Sequence, residues 1–431
     1  MDRVALLRGL RRERDQQLHC WRIPFAIASY FIAAASLVLH LQVEPSFSLE
    51  RGLVDSIVTR TSGVATVINT ATLFEFLRDE LLPAAFPGRT DGVSGAINSY
   101  SQILGGIRLS QSRSEEGPCT QLLGINLTAV LRGAPAECHP ESTASRATFG
   151  LPDVAAAHNV SSAFSAVDAP ADVPPLQRSH FDPFQYVLDA HDDLGDALAL
   201  VDGLQAALWV DSSTKQVTVE IAVLNLEVAS WARLLVEFSF TRGGHVAATW
   251  TSRSLPFNPY GSAPVLGFFD VLNIIYAAYL LGTIAVSTWS RLAQATGDAR
   301  LPGRSIFGAF ASSFDAWWLA DVAAALCLIL AFSFWGTTVV ALQELKDAVG
   351  SATWIPASIA EDTMSAHGFL EYALACYRQF KVAGSVALVL LTVRLFWQFS
   401  LQPRLAVMTE CLSRSAVDSE RKQGDSRSAC T

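Results

Sequence analysis

This sequence has little charge: Asp, Glu, Lys and Arg make up 16% of its 431 residues, against 51% hydrophobic. That balance excludes an ordinary soluble enzyme and points to a multi-pass membrane chain carrying one sizeable polar domain. The short motifs that announce chemistry are missing as well. There is no phosphate-binding Walker loop, no HExxH, no G-x-S-x-G and no dinucleotide-binding glycine fingerprint. No catalytic residue, no metal and no cofactor is therefore expected, and the chain is not read as an enzyme. A net charge of −9 without a basic stripe likewise excludes a nucleic-acid surface.

What is there is apolar sequence gathered into four blocks, expected as transmembrane helices over residues 21–42, 264–290, 314–342 and 380–402. Each is long enough to cross about 30 Å of hydrocarbon at about 1.5 Å per residue. Residues 1–20 hold Arg3, Arg8, Arg11, Arg12 and Arg14, the segment between the second and third blocks holds Arg291, Arg300 and Arg304, and residues 403–431 hold Arg404, Arg414, Arg421, Lys422 and Arg427. By the positive-inside rule these basic segments face the cytosol, so both termini are cytosolic and residues 43–263 lie on the other side. The first block reads as a signal anchor, with a cleaved signal peptide as the alternative.

Residues 43–263 carry 13 Lys+Arg against 24 Asp+Glu, an acidic domain. Ile68–Phe86 has the spacing of an amphipathic helix ended by Pro87-Gly88, and residues 133–175 read as long loops. Val217, Val219, Ile221 and Val223 alternate with Thr218 and Glu220, which predicts a half-buried antiparallel strand; Leu234–Phe238 reads as another. The triplets Asn126-Leu127-Thr128 and Asn159-Val160-Ser161 are glycosylation sequons, meaningful if the domain faces the secretory lumen. Of seven cysteines only Cys119 and Cys138 lie in this domain, which fits one disulfide.

Several tracts, in order, resemble the extracytosolic domain of polycystin cation channels. They are Leu104-Gly105-Gly106-Ile107-Arg108-Leu109-Ser110-Gln111-Ser112-Arg113 followed by Cys119, then Phe149-Gly150, then Tyr186-Val187-Leu188-Asp189. The most specific is the run that begins Trp209-Val210-Asp211-Ser212-Ser213-Thr214-Lys215 and ends Arg233-Leu234-Leu235-Val236-Glu237-Phe238. The resemblance implies an α-helical membrane protein, a four-helix voltage-sensor-like bundle, with an α+β extracytosolic polycystin domain inserted between helices 1 and 2. It also implies a Cys119–Cys138 disulfide, a place in the lipid bilayer, and other polycystin-type subunits as partners in a homo- or hetero-oligomer of the calcium-permeable cation-channel class. Beyond Pro403 the sequence resembles the family's linker to a fifth helix, yet it runs into Asp418–Asp425. Five charges there, at about 2.5–3.5 kcal/mol each in hydrocarbon, give the expectation of a chain that lacks pore helices and serves as a channel subunit or modifier, or of an incomplete gene model. The alternative function is a membrane-tethered adhesion or sensing protein whose lumenal domain binds a ligand or partner.

Two clusters of charge remain. Asp189, His191, Asp192, Asp193 and Asp196 could offer oxygen ligands to calcium, although a solvated helix start explains them equally well. Arg394 stands deep in the fourth block, about 12 Å above the cytosolic surface, and Asp321 in the third stands about 10 Å above it, so the two are expected to pair. The alternative is that Arg394 snorkels to the headgroups.

Overall fold

A computed structural model describes residues 24–41, 43–59, 63–86, 95–98, 100–118, 137–140, 143–167, 182–261, 265–298, 316–355 and 358–400. Among the described residues, four helices are long and apolar enough to cross a membrane: Pro24–Ile57, Val265–Ser290, Trp318–Ser351 and Ile359–Trp397. Contacts divide the chain into two compact units, one of Met1–Leu41, Pro259–Gly336 and Arg378–Thr431, the other of Gln42–Asn258 with Thr337–Tyr377.

The second unit is α+β. Its helices are α1 (Val43–Ile57), α2 (Thr70–Glu75), α3 (Leu82–Ala85), α4 (Pro152–Ala157) and α5 (Leu194–Ala206). Its sheet is six-stranded and antiparallel, in the order β1-β2-β6-β7-β8 with β5 also on β2. The strands are β1 (Ala96–Ile97), β2 (Ser101–Arg113), β5 (Phe184–Asp189), β6 (Thr214–Asn225), β7 (Ser230–Phe240) and β8 (Val246–Pro256). Gly117–Pro118 and Glu137–Cys138 form a separate two-stranded ladder, β3 and β4.

Val217, Val219, Ile221 and Val223 join Leu234, Val236 and Phe238 in a core with Leu53 and Ile57 of α1 and Leu73, Phe74, Leu77 and Leu82. Burial of each such side chain contributes about 1.5–3 kcal/mol. The expected amphipathic helix is present but not uniform. Asn69 caps α2, its Oδ1 accepting from Thr72 N at 2.8 Å while Thr72 Oγ1 accepts from Asn69 N at 3.0 Å. A π-helical turn, Phe76–Leu81, then brings Phe76, Leu77 and Leu81 into the core before α3. The edge of β8 is partly covered, because Glu50 of α1 accepts from both Ser254 N (2.7 Å) and Ser254 Oγ (2.8 Å).

Two expectations need correction. The strand β6 is not half-buried: Thr218, Glu220 and Ala222, on its supposed solvent face, are also inside. Nor do the helices stop at the ends of the expected apolar blocks. The helices α7 (Ala316–Ser351) and α8 (Ile359–Ser400) exceed the apolar blocks by most of the stretch 343–379, and that extra length belongs to the second unit. It stays helical because Leu342, Leu345, Leu370, Ala373, Leu374 and Tyr377 bury an apolar face between polar positions such as Gln343 and Asp347.

In the first unit, residues 24–41 pack with α6 (Val265–Asp298) and the lower parts of α7 and α8 through Ala33, Tyr276, Leu280, Ala324, Ala325, Leu328, Ala387 and Leu391. Small residues permit close approach: a Cβ on Gly384 would lie 2.8 Å from Leu37 Cδ1. Phe31, Val271, Ile275, Val286, Trp289 and Val389 are exposed, the outward apolar surface that hydrocarbon would cover.

Candidate functional site

The clearest site in the second unit grows from the middle of the sheet. Glu220 sits at the centre of β6, paired across β2 with Arg108 and next to the Ala222–Arg233 rung of β7. Only 1% of its side chain is exposed. Arg108 Nη2 donates to Glu220 Oε2, and Arg233 Nε donates to Oε1 at 2.5 Å. Arg233 also reaches Glu371 of α8, Nη2 to Oε2 at 3.4 Å. Burial alone would raise the Glu220 carboxyl, but Arg108 and Arg233 outweigh it and hold the group well below the usual carboxylate range. From α8, one turn before Glu371, His367 brings Nδ1 to 3.4 Å from Glu220 Oε1. The arrangement is an ion-paired seam between the sheet and the first half of α8.

A glycine makes that approach possible. Gly105 takes φ +71, and between Ile103 and Ile107 the β2–β6 register shifts, bending the strand. A Cβ there would stand 2.2 Å from Thr363 Oγ1 and 2.5 Å from the Trp354 ring. Only a residue without a side chain leaves room for α8 and the turn before it.

The tracts around Arg113, Phe149 and Trp209 meet at a second point. Trp209 is fully buried; its Nε1 donates to Ala163 O at 3.1 Å, and Gln111 Nε2 donates to Trp209 O at 2.7 Å. Asp211 Oδ1 accepts from Ser213 N at 2.9 Å, closing the turn into β6, while Oδ2 accepts from Arg113 Nη2 at 2.6 Å. The Arg113 guanidinium lies 3.6 Å from the centre of the Phe149 ring. Leu234, Val236 and Phe238 point into the core, whereas Arg233, Leu235 and Glu237 are half-buried on the other face.

The first unit holds two polar clusters. Asp270 accepts from Ser36 Oγ (3.1 Å), His40 Nε2 (2.8 Å) and Tyr260 OH (2.8 Å), and Tyr260 OH in turn accepts from Trp335 Nε1 at 2.6 Å. Burial pushes the Tyr260 hydroxyl up to about 12, so it keeps the proton it donates. Elsewhere Arg394 Nε stands 3.0 Å from Asp321 Oδ1, with 13% and 25% of the two side chains exposed. The structure thus brings together the two residues matched by depth.

Asn159 is exposed at φ +58, where the chain turns out of α4, and Ser161 of its sequon is exposed too. Asn126 and Cys119 lie outside the described residues; Cys138 ends β4, half-buried. Asp189 is engaged in a turn, its Oδ1 accepting from His191 N at 2.8 Å and lying 2.9 Å from His191 Nδ1. Asp193 stands at the N-cap of α5, and burial together with Asp189 and Asp196 raises the Asp192 carboxyl. Among the described residues no group of three or more His, Cys, Asp or Glu is placed to hold a metal ion. The Glu220 seam and the Asp270 cluster escaped the sequence reading. The available signal for the first was a glutamate mid-strand with arginines in both neighbouring tracts.

No known family model matches the chain, and no curated protein resembles it closely enough to count as a relative.

Proposed function

We propose that this chain is a polycystin-like, four-span membrane protein of the calcium-permeable cation-channel class, acting as a subunit or modifier beside other polycystin-type subunits. In this reading the α+β unit stands on the extracytosolic side as a lid through which subunits assemble, and both termini are cytosolic. One observation supports it: the tracts 104–113 and 209–238, which carry the resemblance, become the neighbouring strands β2, β6 and β7 of one sheet. Arg113 and Asp211 from those tracts, and Phe149 from the Phe149-Gly150 pair, converge at one corner of that sheet. The exposed Asn159 sequon and the acidic balance of residues 43–263 favour the lumenal side for this unit.

The test is affinity purification of the tagged full chain from native membranes, followed by recording from any channel subunits that accompany it. Stoichiometric recovery of cation-channel subunits, with currents altered when the chain is removed, is the expected result. Recovery of a soluble or cell-surface ligand with no channel subunit would overturn the proposal in favour of an adhesion or sensing protein.

A further inference from the structure

The imidazole of His367 is fully buried, and neither ring nitrogen makes a hydrogen bond. Thr363 Oγ1, one turn earlier and equally buried, also makes none. Buried polar groups are nearly always satisfied, so such a pair needs a reason. His367 precedes residue 380, where the expected hydrocarbon span begins, and belongs to the unit that contains the sheet. The charged groups facing it are Arg108 from β2, Glu220 from β6, Arg233 from β7 and Glu371 from its own helix. Two positive and two negative charges balance while the ring is neutral.

We propose that His367 makes the seam between the β2-β6-β7 sheet and residues 359–377 an acid-sensitive latch, closed when the ring is neutral and loosened when it gains a proton. A proton leaves the buried cluster with one uncompensated positive charge. It also creates a competition, because Glu220 Oε1, the oxygen nearest the imidazole, already accepts from Arg233 Nε. Either Arg233 gives way toward Glu371 or the imidazolium leaves. An imidazole free of the seam titrates near 6.5, in a range that acidified compartments reach. The latch is therefore fully effective above that range and weakens as pH falls through it.

The test is hydrogen exchange of the full chain in nanodiscs at pH 7.5 and 5.5, corrected for intrinsic exchange rates. If the open seam takes the proton at about 6.5 and the closed seam does not, opening becomes about tenfold more frequent at pH 5.5. Protection of amides 359–377 should fall by that factor, and His367→Gln should hold the change below about twofold. Unchanged protection in the wild type, or the same fall in His367→Gln, would overturn the latch. A ring resonance from labelled His367 keeps the idea testable should the variant not fold. In the closed protein that resonance is expected to stay neutral through pH 6.5, and an ordinary titration there would refute the proposal.

Discussion

Replacing Glu220 by glutamine keeps the shape of the side chain and removes its charge. What remains is Arg108 and Arg233, 11% and 13% exposed, facing each other over a neutral amide. Breaking a buried ion pair from one side costs about 3–5 kcal/mol, because the surviving charge has lost its water and gained nothing. At about 2–4 °C per kcal/mol for a unit of this size, the midpoint of thermal unfolding should drop by roughly 6–20 °C. Full-chain protein in nanodiscs, melted while tryptophan fluorescence is followed, reads this directly, since Trp209 and Trp231 are buried in the same unit. Exchanging Glu220, Arg108 and Arg233 together for leucines of similar bulk should recover much of the loss. The pH profile gives a second sign. The Glu220 carboxyl is held below its ordinary range, so its contribution is complete above about 4.5 and is lost only in stronger acid. Glu220→Gln should abolish that acid-sensitive step. A loss under about 1 kcal/mol, the range of a surface pair, would refute the reasoning.

Asp321→Asn and Arg394→Gln should each cost several kcal/mol singly, and the double variant much less than their sum; additive losses in the cycle would mean two independent residues. Gly105→Ala should destabilise by about 2 kcal/mol or more, because the backbone is left-handed and the new Cβ meets Thr363 and Trp354; an unchanged melting temperature would mean that α8 does not press on β2. Cys119 and Cys138 should be recovered as one disulfide-linked peptide, its removal costing about 3 kcal/mol, and two free thiols in non-reducing mapping would end that reading. Asn159→Gln should remove one glycan from chain made in secretory cells, seen as a single step in mobility that glycosidase treatment abolishes.

The four apolar helices and the strands β6 and β7 were legible because their signals are local. Val217 to Val223 alternates, and the blocks around Leu280, Leu328 and Leu391 are continuously apolar. Asp321 and Arg394 were legible for another reason: in hydrocarbon, depth alone narrows the choice of partner. Glu220 was misjudged because its cover comes from residues 363–371, far along the chain, and alternation cannot reveal a second layer. The helical stretches 343–351 and 359–379 escaped for a related reason: Glu344, Lys346 and Asp347 lower the hydropathy of the first, yet the buried faces have a helical period that a search for spans does not register. The Asp270 cluster draws on residues 36, 40, 260 and 335, scattered over two other apolar blocks and the end of the polar domain, and no spacing connects them.

The order of the strands also sets an order in time. β6, β7 and β8 are joined by short turns and form a meander that can assemble as soon as residue 256 is made. β2 is different: its long partner β6 begins about a hundred residues later, so at roughly 5–20 residues per second it waits some 5–20 s after synthesis for that neighbour. Until β5 is made, most of its thirteen residues, Gly105 bulge included, present unpaired amides to whatever surrounds the nascent chain, and the edge that takes β6 stays open longer still. Contacts of such long sequence separation are slow to close, which makes the docking of β2 the expected bottleneck of maturation and the step at which a chaperone would have most to do.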